Sequence, residues 1–134
     1  MILTFKPQFV EAIKAGTKIH TIRTDKKARW KKGNTVHFWN GNPRNVKSKP
    51  HEFAKGICTK VLSITIDVHY ENVFITSVNL DECKTLYQSK DLDAFAKNDG
   101  FESWELMRDW FYNCNNGKRF FNGRLIYFEL HGTR

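Results

Sequence analysis

The chain has 134 residues, 40% hydrophobic and 14% aromatic, which suits one domain with its own core and excludes a disordered tail. Its apolar runs are short: 61–78 is interrupted by Ser63, Thr65, Asp67, His69, Glu71 and Asn72, so no bilayer-spanning helix is expected. The formal charge of +8 is unevenly placed, with thirteen Lys or Arg against Asp25 and Glu52 in 14–60, but eight basic and eleven acidic residues in 61–134.

In chain order, Ile2 to Lys6 predicts a short strand ended by Pro7. Phe9, Val10, Ala12 and Ile13 then form a helical stripe, with Gly16 just beyond it as a left-handed cap. A strand over 18–23 leads into a basic loop, 24–32, closed by Gly33 and Asn34. Residues 35–39 read as a third strand, with one of Phe38 and Trp39 facing the core. Asn40-Gly41-Asn42-Pro43 is turn chemistry and opens a second basic loop, 40–52, expected to be partly mobile without its ligand.

The clearest β region starts at Phe53, where Leu62, Ile64, Ile66 and Val68 alternate with polar residues. Val73 to Ile75 predicts the next strand, antiparallel through a turn near 69–72. A short helix is expected from Asn79 or Asp81 to about Tyr87, and another from Asp91 to the stop signal Asn98-Asp99-Gly100. Ser103 is a suitable N-cap for a helix over 104–112 with Leu106, Met107, Trp110 and Phe111 on its inner stripe. Residues 120–130 return as a last strand, with Leu125, Tyr127 and Glu129 on one face. Parallel βαβ alternation is missing, so the fold class expected is α+β: a small, mostly antiparallel β-barrel with helices at its ends, in one domain over 1–134.

Cys58, Cys83 and Cys114 are odd in number and widely scattered, which predicts free thiols and a cytoplasmic address rather than disulfides or zinc. The N-terminus lacks the basic-then-apolar order of a signal peptide. The basic excess in 14–60 is either a solvated face or a field that attracts polyanions, and its lopsidedness favours nucleic acid or a nucleotide as ligand.

The candidate functional residues cluster first in Gly16-Thr17-Lys18-Ile19-His20-Thr21-Ile22-Arg23. Strand alternation puts Thr17, Ile19, Thr21 and Arg23 on one face and Lys18, His20 and Ile22 on the other. Lys18 is a phosphate or catalytic group, or an exposed strand lysine. Thr21 favours a strand whatever its role. Arg23 suits an anion or base edge through its planar fork, or braces Asp99. Asp99 is a site carboxylate or simply ends its helix. Arg29 and Arg44 are candidate phosphate contacts, and Trp30 is either a stacking platform or a loop anchor. His20 and His37 have no cysteine or carboxylate at ligand spacing and read as polar packing residues; no metal site is expected.

Leu3-Thr4-Phe5-Lys6-Pro7, the Gly16 to Arg23 run, Lys32-Gly33-Asn34, the Asp99-Gly100-Phe101 element and Phe121-Asn122-Gly123-Arg124-Leu125-Ile126 together resemble the ASCH domain family over nearly the whole chain. The resemblance implies a PUA-like β-barrel, a cleft between barrel and helices, and work on RNA or its components. One group of short bacterial members are amidohydrolases that deacetylate N4-acetylcytidine with a lysine, a threonine and a carboxylate, which fall here on Lys18, Thr21 and Asp99. Asp99 stands where those enzymes carry glutamate, and this chain is longer than they are. The expected function is therefore an ASCH-type module that binds RNA or a modified nucleoside in a basic cleft through Lys18, Arg23, Arg29, Trp30 and Arg44. The alternative is a metal-independent amidohydrolase acting on an N-acylated cytidine. Either is expected to be a monomer, without cofactor and without membrane attachment. A protein-interaction module is a third class, without a motif to support it.

Overall fold

A computed structural model describes residues 1–77, 83–88 and 90–131. The first helix, α1 (Pro7–Ala15), forms where its apolar stripe and its caps agree. Pro7 opens it with a φ already suited to a helix, and Gly16, at φ 80°, closes it by donating to Ala12 O and Ile13 O. In α3 (Trp104–Cys114) the Ser103 hydroxyl accepts from the Leu106 N–H, as an N-cap should. Between them lies α2 (Asp91–Asn98), whose Asp93 side chain accepts the Trp104 N–H at 2.8 Å and so ties the two helices together.

Seven strands accompany them among the described residues: β1 (Ile2–Phe5), β2 (His20–Arg23), β3 (Thr35–Asn40), β4 (His51–Asp67), β5 (Asn72–Ser77), β6 (Cys83–Gln88) and β7 (Phe120–Leu130). The long strand β4 organises the sheet. Its first part pairs with β3 and its last part with β5, while β7 runs along the opposite edge and carries β2 beyond it. Every ladder is antiparallel except β1 with β3. The α+β class and the mostly antiparallel sheet are as the pattern predicts.

The expected barrel is not closed. No ladder among the described residues joins β1 to β2; instead the Arg23 guanidinium spans from β2 and donates to Thr4 O on β1 at 2.7 Å. A second correction concerns the helix expected from 79 or 81 to 87. Residues 79–82 lie outside the described residues, and Cys83–Gln88 is a strand, paired from Asn72↔Gln88 to Thr76↔Cys83. Thr85, Leu86 and Tyr87 have good strand propensity, and the open edge of β5 supplies the hydrogen bonds that a lone helical turn would lack.

The core is filled by Leu3 and Phe5 from β1, Val36 and Phe38 from β3, and Ile64 and Ile66 from β4, all buried. Each such side chain contributes roughly 1.5–3 kcal/mol on leaving water. Leu125 and Ile126 are both buried although adjacent, so β7, paired at its two edges with β2 and β4, is covered on both faces at this point. No helix of the described residues is long and apolar enough to cross a membrane.

Candidate functional site

The functional candidates converge where three segments meet. Residues 17–19 form no ladder: the Ile19 N–H donates to Asn98 O, which docks this approach to β2 on the end of α2. Strand alternation therefore does not reach Lys18. Its ammonium turns into the same cavity that Thr21 and Arg23 line, where the alternation rule had put it on the opposite face. Asp99, the cap of α2, completes the polar wall with Thr4 and Asn42, while Phe5, Phe9, Phe101, Trp110 and Phe111 supply the apolar one. The cavity holds about 280 Å³.

Gly100 explains how a lysine comes to lie so deep. At φ +92° the position favours glycine, and a Cβ there would fall 2.8 Å from Lys18 Cδ and 3.0 Å from Phe9 Cδ1. The Lys18 stem occupies the space a side chain would have taken. Its ammonium donates to His20 O at 2.9 Å and to Asp99 O, stands 3.5 Å from Asp99 Oδ1, and lies 5.0 Å from the centre of the Phe9 ring.

Burial dominates the electrostatics. Lys18 is 3% exposed, and desolvation pushes its pKa down to about 8, although the Asp99 carboxylate holds it up; Arg23 nearby lowers it further. A lysine of pKa about 8 presents a neutral amine in roughly one molecule in ten at pH 7, enough to accept a proton. Burial also lowers the Arg23 pKa, with Asp99 opposing, yet a guanidinium stays charged in this range. Arg23 Cζ sits 5.0 Å from the Phe5 ring centre, and its buried Nε has no hydrogen-bond partner among the described residues.

Arg23 braces β1 and not Asp99. The Asp99 carboxylate is instead met by His20, whose Nδ1 lies 2.9 Å from Oδ1, and by Lys18. Thr21 is buried on the cavity wall, and its hydroxyl makes no hydrogen bond among the described residues. Lys18, Thr21, Arg23 and Asp99 thus share one hollow. Arg29, Trp30 and Arg44 do not line it. Arg29 and Arg44 are exposed, and Trp30 is half-buried against the core, its loop fixed by Asp25, which accepts the Arg29 and Trp30 N–H groups at 2.9 Å each. His37 pairs at the surface with Glu52. No metal-ligating cluster occurs among the described residues.

Two features escaped the sequence reading. One is the aromatic wall, whose members are scattered from Phe5 to Phe111. The other is the His20–Asp99 bond, which joins residues 79 positions apart and has no local signal beyond a histidine beside the Lys18 motif. Compared with family models, curated proteins and solved structures, the chain matches none.

Proposed function

We propose that the chain is an ASCH-type module whose cavity binds a modified nucleoside, alone or within RNA. One observation carries the reading: Lys18 and Thr21 from one short run, and Asp99 from far along the chain, line a single hollow beside Arg23. At about 280 Å³ it lies near the lower end of small-ligand pockets, suited to one nucleoside rather than to a folded RNA. The aromatic wall suits stacking of a base, and the two cations with one carboxylate suit its polar edge or sugar. The strand path β1-β3-β4-β7-β2, bridged at its ends by Arg23, supports an opened relative of the PUA-like barrel. Exposed Arg29 and Arg44 outside the hollow would serve flanking phosphates.

A second reading, amide hydrolysis of an N4-acylated cytidine, is favoured by the lowered Lys18 pKa in a cavity that Thr21 also lines, its hydroxyl without a hydrogen bond among the described residues. In that reaction neutral Lys18 takes a proton from Thr21 as its oxygen attacks the acyl carbon. The C–N bond then breaks as Lys18 passes that proton to the departing amine, and water hydrolyses the acyl-threonine ester to release the acid and restore the hydroxyl.

Calorimetric titration with cytidine and N4-acetylcytidine, with chelator present, tests both. Saturable binding that Lys18→Ala and Asp99→Asn weaken supports the pocket; no heat at millimolar ligand overturns it. Cytidine release that Thr21→Ala abolishes selects the hydrolase, and release unaffected by Thr21→Ala and Lys18→Ala removes it.

A further inference from the structure

His20 does not line the cavity. It stands behind Asp99, 1% exposed, with its ring 5.1 Å from Phe95 and 5.0 Å from Tyr127, centre to centre. We infer that His20 is the positioning residue of this site, gripping one oxygen of Asp99 so that the other is presented to the bound nucleoside. The inference rests on the nucleoside reading only for what occupies the hollow.

The geometry leaves few choices. A carboxylate oxygen only accepts, so the neutral imidazole that bonds Oδ1 must carry its proton on Nδ1. Lys18 Nζ faces the same oxygen. Oδ1 is therefore used twice, while Oδ2 makes no hydrogen bond among the described residues and is the oxygen left for a ligand N–H or O–H. The grip also comes from a different element than Asp99 itself: His20 opens β2, whereas Asp99 caps α2. Phe95, one turn earlier on α2, packs against the imidazole at a 32° tilt. The remaining titratable or charged groups around the pair are Lys18 and Arg23, Tyr127 on β7 with Lys60 4.3 Å over its ring, and Tyr87 on β6 against Phe95. Burial raises the Tyr127 pKa, with Tyr87 and Asp99 adding to it, so that phenol is neutral while the pair works.

A merely structural histidine, gluing β2 to α2, would fill space but would not set the behaviour of the carboxylate. The test compares wild type, His20→Asn and His20→Leu. Asparagine places an amide N–H near the position of Nδ1; leucine keeps bulk and removes the donor. Nitrogen-15 NMR of the wild type is expected to show the Nδ1–H tautomer. The Asp99 carboxyl carbon-13 chemical shift is expected to move away from the wild-type value in His20→Leu and to stay near it in His20→Asn. Cytidine affinity is expected to fall about tenfold in His20→Leu and to recover in His20→Asn. An Nε2–H tautomer, or an Asp99 carboxyl carbon-13 shift equal in wild type and folded His20→Leu, overturns the inference. If His20→Leu does not fold, the tautomer and the His20→Asn carboxyl shift decide it. If the NMR results hold while the wild type binds no cytidine, the nucleoside reading fails and the grip on Asp99 stands.

Discussion

Two aspartates are equally buried, at 3% exposure each, and do opposite work. Asp67 ends β4 and has every acceptor filled. Arg119 grips it with both arms, at 3.0 and 2.9 Å, while the His69 and Tyr70 N–H groups donate to Oδ1. The Arg119 hydrogen bond, stronger than the opposing burial, holds its carboxyl below the usual range. Arg119 itself reaches solvent, with Tyr70 and Phe120 over its guanidinium. Asp99 faces a lysine that is as buried as itself, shares one oxygen between Lys18 and His20, and borders a hollow. Burial of a carboxylate therefore says little by itself. A saturated carboxylate with an exposed partner is a brace; one with a spare oxygen beside a cavity is available for chemistry.

The contrast is sharpest under truncation. Asp99→Ala strands the Lys18 ammonium in the interior and should destabilise the fold by about 3 kcal/mol, while also abolishing nucleoside binding. Denaturant titration and calorimetry read the two effects together. Asp67→Ala should cost roughly 1–2 kcal/mol, because it frees turn amides while its cation stays in water, and cytidine affinity should not change. Equal losses of affinity in both variants would erase the distinction.

The lysine of the pair adds a pH test. Its folded pKa of about 8 lies below the unfolded value near 10.5, so the unfolded chain holds the proton longer. The burial penalty is fully present below pH 8 and is relieved as pH rises toward 10.5. The stability of wild type minus that of Lys18→Met should accordingly increase over this window, by at most about 3 kcal/mol. A flat difference would mean that the ammonium is better solvated than its burial implies. For Asp67 the direction is the same, because its folded pKa is lowered too, but the window is acid: its contribution exists above the unfolded carboxylate pKa and disappears as pH falls through the depressed folded one.

Smallest of all should be the stability effect of Thr21→Val, within about 0.5 kcal/mol, since the hydroxyl has no hydrogen bond to lose among the described residues. Loss of cytidine release from N4-acetylcytidine in this stable variant would separate a nucleophile from a wall residue.

Much of the local architecture was legible from short-range rules. Gly16 and Ser103 cap the helices they were expected to cap, and the alternation lies on β4 from Leu62 to Ile66, with Val68 just past its end, because capping and period-two burial are decided within a few residues. The 83–87 segment was misread because its few apolar residues suit either element, and only the free edge of β5 made it a strand. Barrel closure was likewise beyond local rules. Whether β1 meets β2 through a ladder or through one arginine depends on how β4 carries its neighbours.

The site divides in the same way. Residue types and motif order placed Lys18, Thr21 and Asp99 together through a family resemblance, while alternation alone separated Lys18 from Thr21. Basic composition nominated Arg29 and Arg44, which the fold leaves at the surface, and Trp30, which it packs on the core. By itself the sequence determined the helix ends, most strands, the charge asymmetry and the roster of reactive side chains, since each follows from near neighbours. The tertiary structure alone decided which of those side chains share a hollow, which oxygen of Asp99 is free, and how far the Lys18 ammonium is removed from water. Those are properties of groups distant in the chain and adjacent in space, and desolvation acts on the second distance only.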